Sequence, residues 1–354
     1  MRETLADWRP AVDEAIANLV PREIDADYLE TFFGPPTYEY DPTGIECALS
    51  TPLWDLLDRG GKRWRAILFL VFIEGFDREP AEYLPYACIP ELLHNGTIIV
   101  DDVEDGATIR RGEPALHHVY GHDIALNIGN AMYFLPLKVI TRNPADLPAD
   151  RQLAAYEMLM DELNRAHLGQ GMDICWHNER EVRVSTDEYL EMCACKTGCL
   201  GRIVARLAAI ITDQPDDVEA AVATYAELTA VAFQIGDDIL DVEHSLGRAG
   251  EFGKEFGNDI REGKKTLLVI HAIEESDPER ARRLQTILEA EDNTDDEIHD
   301  ALAILEETGG IEYARECALE LAADARSAID GLDFDDETTR KLEEFTEFVI
   351  ERDE

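Results

Sequence analysis

Apolar residues recur along this chain at the spacing of a helix, and no stretch alternates as a half-buried strand would. Trp8, Val12, Ile16 and Leu19 share one face of an amphipathic helix over residues 1–20. A turn-rich loop follows at 34–44, then a helical stretch over 53–76 that is strongly apolar after Arg65. Pro85 or Pro90 can open the next helix, because proline suits a first turn. Further helical stretches cover 115–140, 151–176, 218–243, 278–291, 295–329 and the end of the chain from about Asp335. Ser185 or Thr186 caps another, which carries Lys196-Thr197-Gly198. Helices of this length joined by mostly short loops predict an all-α bundle. No shift in composition marks a boundary. One domain over 1–354 is therefore expected, with a motif-bearing core at about 55–270 and closing helices at about 278–350.

Two places break the amphipathic rule by setting acids inside apolar helix. In ThrIleIleVal-AspAspValGluAsp, Asp101 and Asp105 share a face, Asp102 stands about a quarter turn away, and His94 and Thr97 lie on the Asp101 stripe. Gly106 ends the segment and Arg110 and Arg111 follow. The spacing returns in Asp237-Asp238-Ile-Leu-Asp241, where Gln234, Asp237 and Asp241 form one stripe. Acids in such surroundings are costly unless they meet cations, and a set of oxygen ligands favours magnesium over zinc. A paired-arginine clamp beside the first cluster points to a metal-bound polyphosphate. Between 59 and 65 lies a basic knot, ArgGlyGlyLysArgTrpArg, whose glycines admit an anion and whose Lys62 and Arg65 fall on one helix face.

Charge narrows the partners. The chain carries 76 acids against 32 bases, a net charge of −44, which excludes a nucleic-acid partner. Helical periodicity from end to end argues against disorder. The composition reads as the acid-coated surface of a halophile's protein, kept soluble where salt screens repulsion. Lysine is scarce, yet Lys62, Lys196, Lys254 and Lys264 all fall within motifs. With no basic-then-apolar leader at the N-terminus and no apolar run near ~18 residues, a cytoplasmic protein that is not integral to a membrane is expected. Seven scattered cysteines make no disulfide framework, and Cys193, Cys195 and Cys199 lack a zinc spacing. His117, His118, Gln170 and Asp173 are read as structural.

Taken in order, GGKRWR, ELLH ahead of DDVED, RRG, KTG, FQIGDDILD and GK…G.D…GK resemble the trans-isoprenyl diphosphate synthase (polyprenyl synthetase) family over roughly Gly60 to Thr266. The resemblance implies an α-helical bundle of the isoprenoid synthase type with a central apolar cavity, usually a homodimer. It assigns about three Mg²⁺ to Asp101, Asp105, Asp237 and Asp241, with Asp102 and Asp238 as supports behind them. Arg110, Lys196, Thr197, Gln234 and Lys254, with Lys264 as a further contact, match the allylic diphosphate site. Lys62, Arg65, His94 and Arg111 match the isopentenyl diphosphate site. Such enzymes join the two substrates by ionisation, condensation and elimination.

In the family, an aromatic residue four or five positions before the first aspartate stops the product at C15. Thr97 and Gly96 stand there and are small, so the resemblance implies geranylgeranyl diphosphate (C20), with farnesyl or C25 and longer products as alternatives. Val100 stands where a histidine often precedes the acids, and the chain ends in an acidic tail. A class I terpene cyclase is the rival enzyme, disfavoured by the second D-D-x-x-D. A catalytically silent partner subunit is the rival of another class, disfavoured because no acid or arginine is missing.

Overall fold

A computed structural model describes residues 2–178, 183–248, 256–290 and 292–350. The expectation of an all-α protein is met. Among the described residues the β structure is one two-residue ladder, Ile109–Arg110 against Glu113–Pro114. By its contacts the chain divides into two compact units, Arg2–Tyr156 and Glu157–Glu354, and the division falls within the helix Ala149–Asn178.

In the N-terminal unit the first acid helix, Pro80–Glu104, packs against Arg2–Leu19, Trp64–Gly75 and His122–Phe134. Every residue from Trp64 to Ile73 is buried, as expected of a helix apolar all round. The acid helix starts at Pro80, and Pro85 and Pro90 lie inside it rather than opening it. Each leaves one carbonyl of the preceding turn without its helical donor, a loss that the packing of a buried helix absorbs. The 53–76 stretch is divided into Thr51–Asp58 and Trp64–Gly75, because Gly60, Gly61 and Arg63 all take positive φ between them. The 115–140 stretch breaks at Gly121 (φ 90°) and at a 3₁₀ turn, Leu135–Leu137, that holds Pro136. Residues 122–142 are long and apolar enough by composition to cross a membrane, but half of that window is buried inside the protein. An open apolar groove of about 720 Å³, lined by Phe33, Leu49, Ala131 and Phe134, lies apart from the motif residues.

In the C-terminal unit the second acid helix, Asp216–Ser245, packs on Gly310–Ile329 and Cys199–Ile211. Ser185 caps Thr186–Cys193 in a reciprocal capping box with Glu188. The 295–329 stretch is two helices, Asp295–Glu307 and Gly310–Ile329, parted at Gly309. Glu162 is 2% exposed and accepts from Arg202 Nε and Arg206 Nη1, each at 2.8 Å. Arg206 also reaches Glu219 and Arg202 reaches Glu227, so the buried charges answer one another. Cys193, Cys195 and Cys199 are free, buried thiols.

Candidate active site

The first acid helix is wholly buried from Tyr86 to Leu93. Beyond that, His94, Thr97, Ile98, Asp101 and Asp105 are half-buried, at i, i+3, i+4, i+7 and i+11. That is one stripe of a 3.6-residue helix; Val100 and Val103 beside it are half-buried too, and Glu104 at the helix end is exposed. The helix stops in a Schellman turn: Gly106 takes φ 65° and the Ala107 amide donates to the Asp102 carbonyl at 2.9 Å. Asp101 and Asp105 therefore stand at a helix C-terminus, where the backbone dipole opposes negative charge and a cation would relieve it. Gly96 is not on the stripe. It is buried against the neighbouring helix, where an added Cβ would lie 2.6 Å from Met132 Cβ and 3.0 Å from the Gly129 carbonyl oxygen. Of the two residues assigned to chain length, Thr97 alone is on the accessible face.

Arg111 and Gly112 take φ 54° and 76°, the pair of positive values a two-residue hairpin turn requires. The hairpin sets Arg110 on Asp102, whose carboxylate is 3% exposed and accepts from Arg110 Nε at 2.7 Å. Arg111 turns inward and donates to the carbonyls of Leu56 (2.8 Å) and Gly60 (2.9 Å) and to Asn95 Oδ1 (3.2 Å). Burial draws its pKa down to about 10. Arg63, which the sequence reading did not single out, is buried. It is tied to Asp13 at 2.8 Å and to the carbonyls of Leu57 and Gly60. The buried Arg65 guanidinium stacks 4.0 Å over the Trp64 ring, and Lys62 is exposed. His94 is held neutral: burial, then the charges of Arg65, Arg111, Arg110 and Arg63, press its pKa well below the ordinary value. Of the residues assigned to isopentenyl diphosphate, the fold gathers Arg65, Arg111 and His94. Four guanidinium groups around a neutral imidazole make a basin suited to a polyanion.

The C-terminal unit carries the second set. Asp237 is half-buried, while Asp238 and Asp241 are 6% and 2% exposed. Asp238 accepts from Tyr189 Oη at 2.7 Å and from Gln234 Nε2 at 3.0 Å, and Gln234 Oε1 accepts from Thr197 Oγ1 at 3.1 Å. Asp241 Oδ1 accepts the Asp259 amide at 3.3 Å, and Lys264 lies 3.7 Å from Asp259 and 2.7 Å from Glu262. Lys196 Nζ meets Asp173 at 2.5 Å. Lys196 and Thr197 sit in a π turn, Ala194–Gly198, midway along the continuous helical segment 186–211. Gly169 makes room for that turn, since a Cβ there would strike the Lys196 amide nitrogen at 2.3 Å. Asp173 lies one helical turn further on. Lys254, assigned to the allylic site, lies outside the described residues.

Among the described residues no three His, Cys, Asp or Glu side chains converge into a ready metal cage. Magnesium fits such a site nonetheless, because it is held by one or two carboxylates and completes its shell with water and phosphate.

The polyprenyl synthetase family model matches residues 46–305, the stretch that holds every motif above. The chain belongs to that family. It is 36% identical over 260 residues to a short chain isoprenyl diphosphate synthase of Methanocaldococcus jannaschii, covering 73% of this chain and 76% of that one. It is 32% identical over 313 residues to a geranylfarnesyl diphosphate synthase of Natronomonas pharaonis, covering 84% and 88%. The geranylgeranyl pyrophosphate synthetase of Pyrococcus horikoshii superposes with a TM-score of 0.84 at 26% identity, covering 99% and 98%. The chain is thus a trans-prenyl diphosphate synthase, a transferase with the isoprenyl synthase fold.

Proposed function

We propose that this synthase condenses isopentenyl diphosphate with an allylic diphosphate (dimethylallyl, geranyl or farnesyl) and releases geranylgeranyl diphosphate. The half-buried stripe His94–Thr97–Ile98–Asp101–Asp105 carries the reading, since it sets carboxylates, a small residue and an apolar wall in a row. In this reading Asp101, Asp105, Asp237 and Asp241 serve one cluster of about three Mg²⁺, and the whole chain works as a single catalytic domain. Magnesium, when bound, offsets the charge that grows on the leaving diphosphate. Arg110, Lys196, Thr197, Gln234, Lys254 and Lys264 bind the allylic diphosphate and favour ionisation of its C–O bond. Lys62, Arg65, His94 and Arg111 hold isopentenyl diphosphate, whose C3–C4 double bond attacks the allyl cation. Proton loss to the released diphosphate ends the cycle. The neutral His94, ringed by arginines, donates a hydrogen bond rather than taking that proton. Apolar side chains such as Ile98 keep water from the cation.

Length beyond C15 rests on Thr97, the small residue on the accessible stripe. A C25 product is the second reading, favoured by similarity to the Natronomonas geranylfarnesyl synthase. We place the enzyme in the cytoplasm as a homodimer. Light scattering in molar salt checks the second point, and a monomeric mass overturns it. The deciding assay combines the protein, concentrated salt, Mg²⁺, labelled isopentenyl diphosphate and each primer in turn. Absence of any prenyl product would refute the proposal.

A further inference from the structure

We infer that Tyr189 is a positioning residue for the second acid motif, acting through Asp238. The phenol is 2% exposed and donates to Asp238 Oδ2 at 2.7 Å. The other oxygen of the same carboxylate accepts Gln234 Nε2, so Asp238 is held from two sides by the protein. This fixes an orientation chain. Because the Gln234 amide nitrogen must face Asp238, its oxygen faces Thr197 and accepts a hydrogen bond from that hydroxyl. Tyr189, Asp238, Gln234 and Thr197 thus form a chain of three directed bonds, two of which join one helical segment to another. Burial and the neighbouring carboxylate push the Tyr189 pKa well above its ordinary value, so the phenol keeps the proton it donates.

The consequence bears on the adjacent acids. Asp238 is held by Tyr189 and Gln234, in keeping with a place behind Asp237 and Asp241, the ligands of this motif in the reading above. Their placement depends on a helix whose buried acid is fixed. Outer hydrogen-bond partners of ligating carboxylates typically change metal affinity by ~10- to 100-fold when removed, and Tyr189 stands one step further out, so its loss should fall at or below the low end of that range. The inference rests on the magnesium reading above, and its test separates the two.

Mn²⁺ binding in the presence of inorganic diphosphate, followed by electron paramagnetic resonance of the free ion, provides a readout independent of turnover. Tyr225→Phe is the control, because Tyr225 is equally buried in the same unit but donates to the Leu342 carbonyl at 2.7 Å. Tyr189→Phe is expected to weaken Mn²⁺ binding several-fold, up to roughly 10-fold. Tyr225→Phe should lower the melting temperature comparably and leave Mn²⁺ binding at the wild-type value. Equal Mn²⁺ affinity in wild type and Tyr189→Phe overturns the inference, as does equal weakening in both variants. If the wild-type protein binds no Mn²⁺ at all, the magnesium reading itself fails. Should Tyr189→Phe not fold, Asp238→Asn takes its place. Its amide offers one oxygen and one NH2 where the carboxylate offered two acceptors, so either the Tyr189 or the Gln234 bond must reverse. Unchanged Mn²⁺ affinity in Asp238→Asn overturns the inference equally.

Discussion

Arg110 grips Asp102 through its Nε at 2.7 Å, so an arginine assigned to substrate is also the charged partner of a buried acid. The two roles are compatible, since a guanidinium presents five donors in a fixed fork. Arg110→Ala should then cost stability as well as turnover. Removing the charged partner of a buried carboxylate is worth about 1–3 kcal/mol. Urea unfolding in high salt measures it, and an unchanged midpoint would show that the pair is incidental to the fold.

Asp101→Ala and Asp237→Ala should each depress kcat by at least ~10²–10³, because they remove charge stabilisation needed as the leaving diphosphate departs. Far-ultraviolet dichroism should remain that of the wild type, since both carboxylates are only half-buried. Near-normal turnover in either variant would remove that acid from the catalytic set.

Thr97 and Gly96 should part company on mutation. Thr97→Phe puts a ring on the accessible stripe four residues before Asp101 and is expected to move the product towards C15. Gly96→Ala instead drives a methyl into Met132 and the Gly129 carbonyl, an overpacking cost of about 1–3 kcal/mol. Product chromatography and thermal melting distinguish them. Unaltered chain length in Thr97→Phe would refute the stripe as the route of the growing chain.

His94 supplies a pH signature. Burial and four nearby arginines hold its folded pKa below the unfolded value of about 6.5, so the unfolded chain binds the proton more readily. Its contribution to stability is therefore complete above about pH 6.5. It is lost as pH falls below that value, at up to about 1.4 kcal/mol per pH unit. His94→Gln should flatten the fall between pH 7.5 and 5.5. Parallel stability curves for the two proteins would contradict this assignment.

Much of the site was legible because helical stripes are local. Asp101 with Asp105, and Gln234 with Asp237, stay within two turns of one helix, where spacing in sequence is spacing in space. Long-range partners gave no such signal. Asp173 meets Lys196 from 23 residues away, and Tyr189 meets Asp238 from 49, each on a separate segment. The inward turn of Arg63 and Arg111 depends on positive φ at non-glycine residues, which no periodicity reveals. The proline that opens the acid helix was misplaced for a related reason: three prolines fit a first turn, and only tertiary packing chose Pro80.

The π turn at Ala194–Gly198 gives the helical segment that carries Tyr189 and Lys196 one residue more than its rotation needs. A π turn accommodates one residue more than a regular helix, and each residue of a regular helix accounts for ~100° of rotation. Deleting a single residue there would restore an ordinary helix and leave its two halves in phase, because the π turn spreads its extra residue over about the rotation of a regular turn. Tyr189 and the helix beyond Gly198 would keep their faces, and only the side chains inside the turn, Lys196 and Thr197, would change direction. A one-residue deletion in this window should therefore spare the packing on either side and tell on Lys196 and Thr197 alone, whereas the same deletion in the regular helix before or after it shifts the phase by ~100°.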